Sequence, residues 1–233
     1  MKGYFFIEPN NWNDKIDSLT TYLINPENPI IIFISGAAGL GKSSVSMELC
    51  HLLGIRNLIC TDTLRYILAS KEEGKPLLRY FSHECWKYYD EHTENNMISG
   101  FRKQSKLICD AVDNVLQDAY RHKKNTIIEG IHILPSIMLK KQESFPDLKM
   151  VFIYLTTDFD YFKNVLLPNR TVSSYRHLTI DGYDCERLSR FLVFHKMWID
   201  EFESNNIKPI RNCSSPENLT ENILQRLIEE IGD

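Results

Sequence analysis

Short β-rich runs alternating with longer helical patterns predict an α/β fold: a five-stranded parallel sheet with helices on both faces, a three-layer sandwich. Three observations carry this. Five runs, Ile30–Ile34, Asn57–Thr61, Thr126–Glu129, Met150–Leu155 and Ile207–Ile210, are short and continuous, as strands covered on both faces are. Helical patterns separate them, which is the signature of crossover connections between parallel strands. The first run leads through a glycine-rich turn into the amphipathic stretch Ser44–Leu53, a strand–loop–helix unit.

The elements follow in chain order. Residues 1–28 form an amino-terminal segment without a legible pattern, and residues 29–233 are read as one domain, a size that encloses a single core. Between the second and third runs lies an insertion at about 64–124. Its last part places Leu107, Ile108, Ala111, Val112, Val115, Leu116, Ala119 and Tyr120 on one helical face, predicting a helix packed on the sheet. Aromatic Tyr80, Phe81, Trp86, Tyr88 and Tyr89 cluster earlier in the insertion and read as core packing. Asp158–Leu167 reads as a helix stopped by Pro168, and the polar stretch at about 168–183 as a small mobile lid. Asp184–Ser204 carries Leu188, Phe191, Leu192, Trp198, Ile199 and Phe202 inward. The last helix starts at Ser215-Pro216, an N-cap followed by a proline at the first helical position.

Composition narrows the function classes. Of 233 residues, 43% are hydrophobic and 25% charged, the balance of an ordinary globular protein. The net charge of −4 argues against a dedicated nucleic-acid surface and leaves room for a local basic pocket for a small anion. Cys50, Cys60, Cys85, Cys109, Cys185 and Cys213 show no CxxC spacing, so neither a zinc site nor a redox pair is expected. No apolar run is long enough to span a bilayer and no signal-peptide pattern opens the chain, so the expected location is cytoplasmic, without a membrane partner. Monomer and dimer both stay open.

The residues with chemistry sit where ligands bind such sheets, at the carboxyl ends of the strands. Gly36-Ala37-Ala38-Gly39-Leu40-Gly41-Lys42-Ser43, followed by Ser44, fits the phosphate-binding pattern GxxxxGK[ST]. Backbone N–H groups of such a loop cradle a polyphosphate, the helix dipole and the lysine add positive charge, and the serine hydroxyl suits magnesium. ATP and Mg2+ are the expected cofactors. The second run ends Thr61-Asp62-Thr63-Leu64-Arg65, placing a carboxylate and a guanidinium on neighbouring helical positions. Asp62 either caps a helix or orients a substrate hydroxyl. Arg65 either pairs with a surface acid or clamps a substrate carboxylate or phosphate. The third run ends Glu129-Gly130-Ile131-His132. Glu129 is a candidate to organise magnesium together with Ser43, and Gly130 lets a ligand approach the backbone. His132 is either an anion-binding or a structural histidine.

These segments, with Gly100-Phe101-Arg102-Lys103-Gln104, Glu129-Gly130-Ile131-His132-Ile133-Leu134-Pro135 and the late Pro209-Ile210-Arg211-Asn212, resemble the 2-phosphoglycerate kinases among the P-loop kinases. The resemblance runs from about Ile30 to the C-terminus, and the pairing of GFxxQ with EGxHxxP is more discriminating than the phosphate loop. It implies a P-loop kinase that phosphorylates 2-phosphoglycerate to 2,3-bisphosphoglycerate with ATP. Under this resemblance Lys42, Asp62, Glu129 and Arg170 are the catalytic candidates. Arg65, Arg102, Lys103, Gln104, Gly130, His132 and Arg176 are candidates for the anionic small-molecule substrate. The family's archaeal members carry an amino-terminal nucleotide-sensing domain, for which the 29 residues before the first run leave no room, so regulation of that kind is not expected. Three other readings stay open. TDxxR also resembles the acceptor-binding strand end of nucleoside monophosphate kinases, the acceptor is open to other phosphorylated metabolites, and a nucleotide-binding switch without transfer chemistry is the reading from another class.

Overall fold

The computed structural model describes residues 12–24, 29–71, 75–145, 148–166, 180–213 and 216–232. In chain order α1 (Trp12–Ile24) precedes β1 (Ile30–Gly36), α2 (Lys42–Leu52), β2 (Asn57–Cys60) and α3 (Thr61–Lys71). Two 3-10 segments, Pro76–Arg79 and Ser82–Tyr89, lead into the long α4 (Glu94–Arg121). Then come β3 (Thr126–Glu129), α5 (Pro135–Gln142), β4 (Lys149–Thr156) and the single turn α6 (Phe159–Tyr161), which continues as a π-turn through Leu166. Helix α7 (Ile180–Ser204), β5 (Ile210–Arg211) and α8 (Pro216–Gly232) complete the order.

Among the described residues the strands form one parallel sheet in the order β2-β3-β1-β4-β5. Its centre is β1, buried along its whole length. Its side chains alternate between two apolar cores. Ile30, Ile32 and Ile34 face a core shared with Leu49 of α2, Trp198 and Phe202 of α7 and Ile223 and Leu227 of α8. Ile31 and Phe33 face another, built with Cys109, Val112, Leu116 and Ala119 of α4 and Met138 of α5. Helices on both faces follow from this two-sided apolar strand, and the expected three-layer α/β sandwich is the observed one. With β2 and β3 on one side of β1 and β4 and β5 on the other, the chain reverses its strand order at β1, where a crevice forms at the carboxyl ends.

Several boundaries differ from those expected. In the amino-terminal segment, α1 buries Leu19 and Leu23 and is pinned by Asn125, whose amide donates to Leu23 O and whose Oδ1 accepts from Ile30 N. The fifth strand is Ile210–Arg211 and not Ile207–Ile210, because Ile207 N closes the end of α7 on Phe202 O at 2.9 Å. Asn206, at φ 54°, takes the left-handed position of that Schellman turn. Tyr120, expected inward on α4, is 38% exposed, while Ile108, Val112, Leu116 and Ala119 are buried as expected. The polar stretch read as a lid and the Ser215 cap fall, apart from the start of α7, outside the described residues.

Candidate active site

The phosphate loop joins β1 to α2, which starts at Lys42 with Gly41 as its N-cap. Gly41 has φ 83° and ψ 10°, a left-handed conformation that glycine adopts without strain. Lys42 is 6% exposed, and its Nζ donates to Ala37 O at 2.8 Å, across the mouth of the loop. Ser43 Oγ donates to Glu129 Oε1 at 3.2 Å. The pair predicted from two segments 86 residues apart is therefore assembled, with Glu129 at the tip of β3 and 5% exposed.

Beside this pair, Cys60 ends β2 in register with Glu129. Burial pushes the Cys60 thiol up, and the Glu129 charge adds to the effect, so the group stays protonated. Asp62 follows two residues later in the first turn of α3, its side chain 54% exposed. Asp62 and Glu129 thus project from neighbouring strand ends on one side of the phosphate loop.

Behind them lies a closed polar network. Gly130 has φ 144°, and a Cβ there would fall 1.8 Å from Thr61 Oγ1, so the hydroxyl occupies the space a side chain would need. His132 is fully buried, with Nδ1 3.0 Å from Thr61 Oγ1, and Nε2 3.2 Å from Gln104 Oε1 and 3.1 Å from Ser82 Oγ. Gln104 Nε2 donates to Leu77 O at 2.6 Å and Tyr80 O at 2.9 Å, so its Oε1 faces His132 as an acceptor. The network therefore places the imidazole proton on Nε2, and Nδ1 accepts from the Thr61 hydroxyl. Burial lowers the His132 pKa to about 4, with Asp62 opposing and Arg65 and Lys42 reinforcing the shift. Gln104, expected as a substrate ligand, and His132, open between an anion-binding and a structural role, hold each other and the 3-10 segments.

Arg65 joins the same framework. It is 2% exposed, and Nη1 donates to Leu78 O at 3.0 Å and Tyr80 O at 3.2 Å. Its guanidinium carbon lies 4.3 Å from the Tyr66 ring centroid, and Nε is 3.5 Å from Asp62 Oδ1. Arg102 pairs with Glu201, a buried carboxylate of α7 that also accepts from Ser136 N. Lys103 lies over Tyr88 and Tyr89, at 5.1 and 4.9 Å from their centroids. The expected convergence of Arg65, Arg102 and Lys103 on one acceptor is not present: each cation has its own partner. These partners are backbone carbonyls for Arg65, the buried Glu201 for Arg102 and two tyrosine rings for Lys103. Arg170 and Arg176 lie outside the described residues.

Two further contributors have no role assigned to them by the sequence. Glu201 sits among Trp198 and Phe202 on the buried face of α7, and an acid on an apolar stripe was the legible sign of a buried ion pair. Asn212 was noticed only as part of a late segment, yet it is 5% exposed and its Nδ2 donates to Leu40 O of the phosphate loop at 3.0 Å. Among the described residues no helix is long and apolar enough to cross a membrane.

Comparison with known proteins adds a family likeness. A 2-phosphoglycerate kinase of Methanopyrus kandleri is 33% identical over 132 residues, covering 55% of this chain and 39% of the relative. One from Methanocaldococcus jannaschii is 28% identical over 156 residues, covering 66% and 50%. One from Pyrococcus furiosus is 29% identical over 207 residues, covering 87% and 63%. The chain resembles the archaeal 2-phosphoglycerate kinases. It spans between 39% and 63% of the length of these three relatives. No family model matches the chain. Among solved structures, a gluconokinase from Sinorhizobium meliloti aligns with a TM-score of 0.46 at 14% identity, over 88% of this chain and 92% of that one. A shikimate kinase from Acinetobacter baumannii, in complex with shikimate, aligns with a TM-score of 0.45 at 14% identity, over 91% and 96%.

Proposed function

We propose that this chain is an ATP-dependent small-molecule kinase whose acceptor is a phosphorylated hydroxy acid, with 2-phosphoglycerate as the preferred substrate and 2,3-bisphosphoglycerate as the product. The observation that carries the reading is the Ser43–Glu129 contact at the mouth of the phosphate loop, in a chain similar to 2-phosphoglycerate kinases over most of its length. The donor set fits magnesium. Two hard oxygens, Ser43 Oγ and Glu129 Oε1, lie side by side. Such a site suits an ion that arrives with a polyphosphate and takes its remaining oxygens from phosphate and water. When bound, magnesium neutralises charge on the transferring phosphoryl.

The chain's own residues supply the rest by positioning and charge. Loop amides and Lys42 hold the β- and γ-phosphates. Asp62 accepts a hydrogen bond from the acceptor hydroxyl and takes its proton as that oxygen bonds to the γ-phosphorus, ADP leaving on the opposite side. Its half-exposed carboxylate beside the Glu129 strand end supports this role. The buried network of Thr61, His132, Gln104 and Arg65 fixes the backbone from which Asp62 projects. An acceptor screen following ADP formation tests the reading, with 2-phosphoglycerate, glycerate, AMP and phosphorylated polyols side by side. Turnover highest with 2-phosphoglycerate supports it. A clear preference for AMP would move the assignment to nucleoside monophosphate kinases, and ATP binding without transfer to any acceptor would favour a switch.

A further inference from the structure

Asn212 has no part in the chemistry described above, yet its contacts aim at the phosphate loop. The residue follows β5 and is held on three sides by backbone-directed bonds. Its N–H donates to Thr156 O at 2.7 Å, its carbonyl accepts from Thr157 Oγ1 at 2.5 Å, and its Nδ2 donates to Leu40 O at 3.0 Å. Thr157 is itself 3% exposed, so this anchorage belongs to the folded interior and not to a surface turn. A Cβ built on Gly41 would lie 3.6 Å from Asn212 Nδ2, so the amide packs directly on the loop at its last glycine.

Peptide geometry converts this contact into a statement about the nucleotide. In a planar trans peptide the C=O of Leu40 and the N–H of Gly41 point in opposite directions. An amide that holds the Leu40 oxygen on the β5 side of the loop turns the Gly41 N–H away from β5. Gly41 is the N-cap of α2, left-handed at φ 83°, and no side chain caps this helix. Asn212 restrains the Leu40–Gly41 peptide through the Leu40 oxygen. We infer that Asn212 is a positioning residue of the phosphate loop, which sets the Leu40–Gly41 peptide so that the Gly41 amide is presented to the bound polyphosphate. The sheet edge at β4 and β5 thereby presets one of the donors of the phosphate loop. This inference rests on the proposed nucleotide site and says nothing about the acceptor.

The test uses full-length Asn212→Asp, which keeps the shape of the side chain and replaces the donor with an acceptor, and Thr157→Val, which loosens the anchorage without touching the loop. Binding of magnesium–ATP by calorimetry and the Gly41 amide resonance, followed by 15N–1H NMR, are the readouts. The wild-type Gly41 proton should move downfield on adding nucleotide. In Asn212→Asp the affinity should fall about 10- to 100-fold, as expected for loss of an aligned bond to a charged group, and the Gly41 shift should shrink. Thr157→Val should show the same change in direction at smaller size, and it decides the matter where Asn212→Asp does not fold. Wild-type nucleotide affinity with an unchanged Gly41 shift in a folded variant overturns the inference. Failure of the wild-type chain to bind ATP would instead defeat the nucleotide site itself, so the two failures are distinguishable.

Discussion

The buried imidazole of His132 makes acid stability a direct probe of the framework behind the site. In the unfolded chain the group titrates near 6.5, and in the folded chain burial holds it at about 4. The folded-state value is depressed, so the stability tied to the neutral ring is complete above pH 6.5 and is lost as pH falls towards 4. At 1.36 kcal/mol per unit, the interval of 6.5 to about 4 corresponds to roughly 3 kcal/mol in all, of which about 2 kcal/mol falls between pH 7 and pH 5. Urea unfolding of the wild type and of His132→Gln at pH 7, 6 and 5 isolates this contribution, because other titrating groups cancel in the difference between the two proteins. The gap should narrow by about 2 kcal/mol from pH 7 to pH 5. A gap of constant size would show that His132 does not titrate abnormally, and the Thr61–His132–Gln104 assignment would fail with it.

Four further substitutions test other parts of the account. Lys42→Ala should reduce phosphoryl transfer more than 100-fold while changing unfolding free energy by only about 1 kcal/mol, as expected for loss of a hydrogen bond such as the one from Lys42 Nζ to Ala37 O; turnover and melting curves check both. Asp62→Asn should lower kcat at saturating magnesium, whereas Glu129→Gln should be partly relieved by added metal, and a metal titration separates them. Gly100→Ala would put a Cβ 2.4 Å from Cys85 O, between α4 and the segment Ser82–Tyr89, and should cost about 2–3 kcal/mol by denaturant unfolding.

The strands were legible where a two-sided apolar run left no alternative, as at β1, and β3 was read at its exact limits because Asn125 and Gly130 bound it. The phosphate loop and the Ser43–Glu129 pair were legible because a motif specifies a local backbone and strand ends meet in a parallel sheet. Arg102 and Gln104 are expected as ligands, and Arg65 and His132 stay open between ligand and structural roles, because sequence shows a residue's charge or hydrogen-bonding capacity but not what is buried beside it. Leu77, Leu78 and Tyr80 offer backbone carbonyls, which no sequence pattern announces, and Glu201 lies 99 positions from Arg102. The same reason hid Asn212, whose target is a loop carbonyl 172 residues away. Helix α1 escaped because its apolar face is short, although Pro26 follows its end by two residues.

The central claim is transfer of a phosphoryl group from ATP to a phosphorylated hydroxy acid at the crevice of Lys42, Ser43, Asp62 and Glu129. Incubation of the full chain with γ-labelled ATP, magnesium and 2-phosphoglycerate, with the product resolved by 31P NMR, tests it most directly. The account predicts labelled 2,3-bisphosphoglycerate formed by the wild type and lost in Lys42→Ala. Label that stays in ATP or appears only as inorganic phosphate, while AMP is converted to ADP under the same conditions, would contradict it.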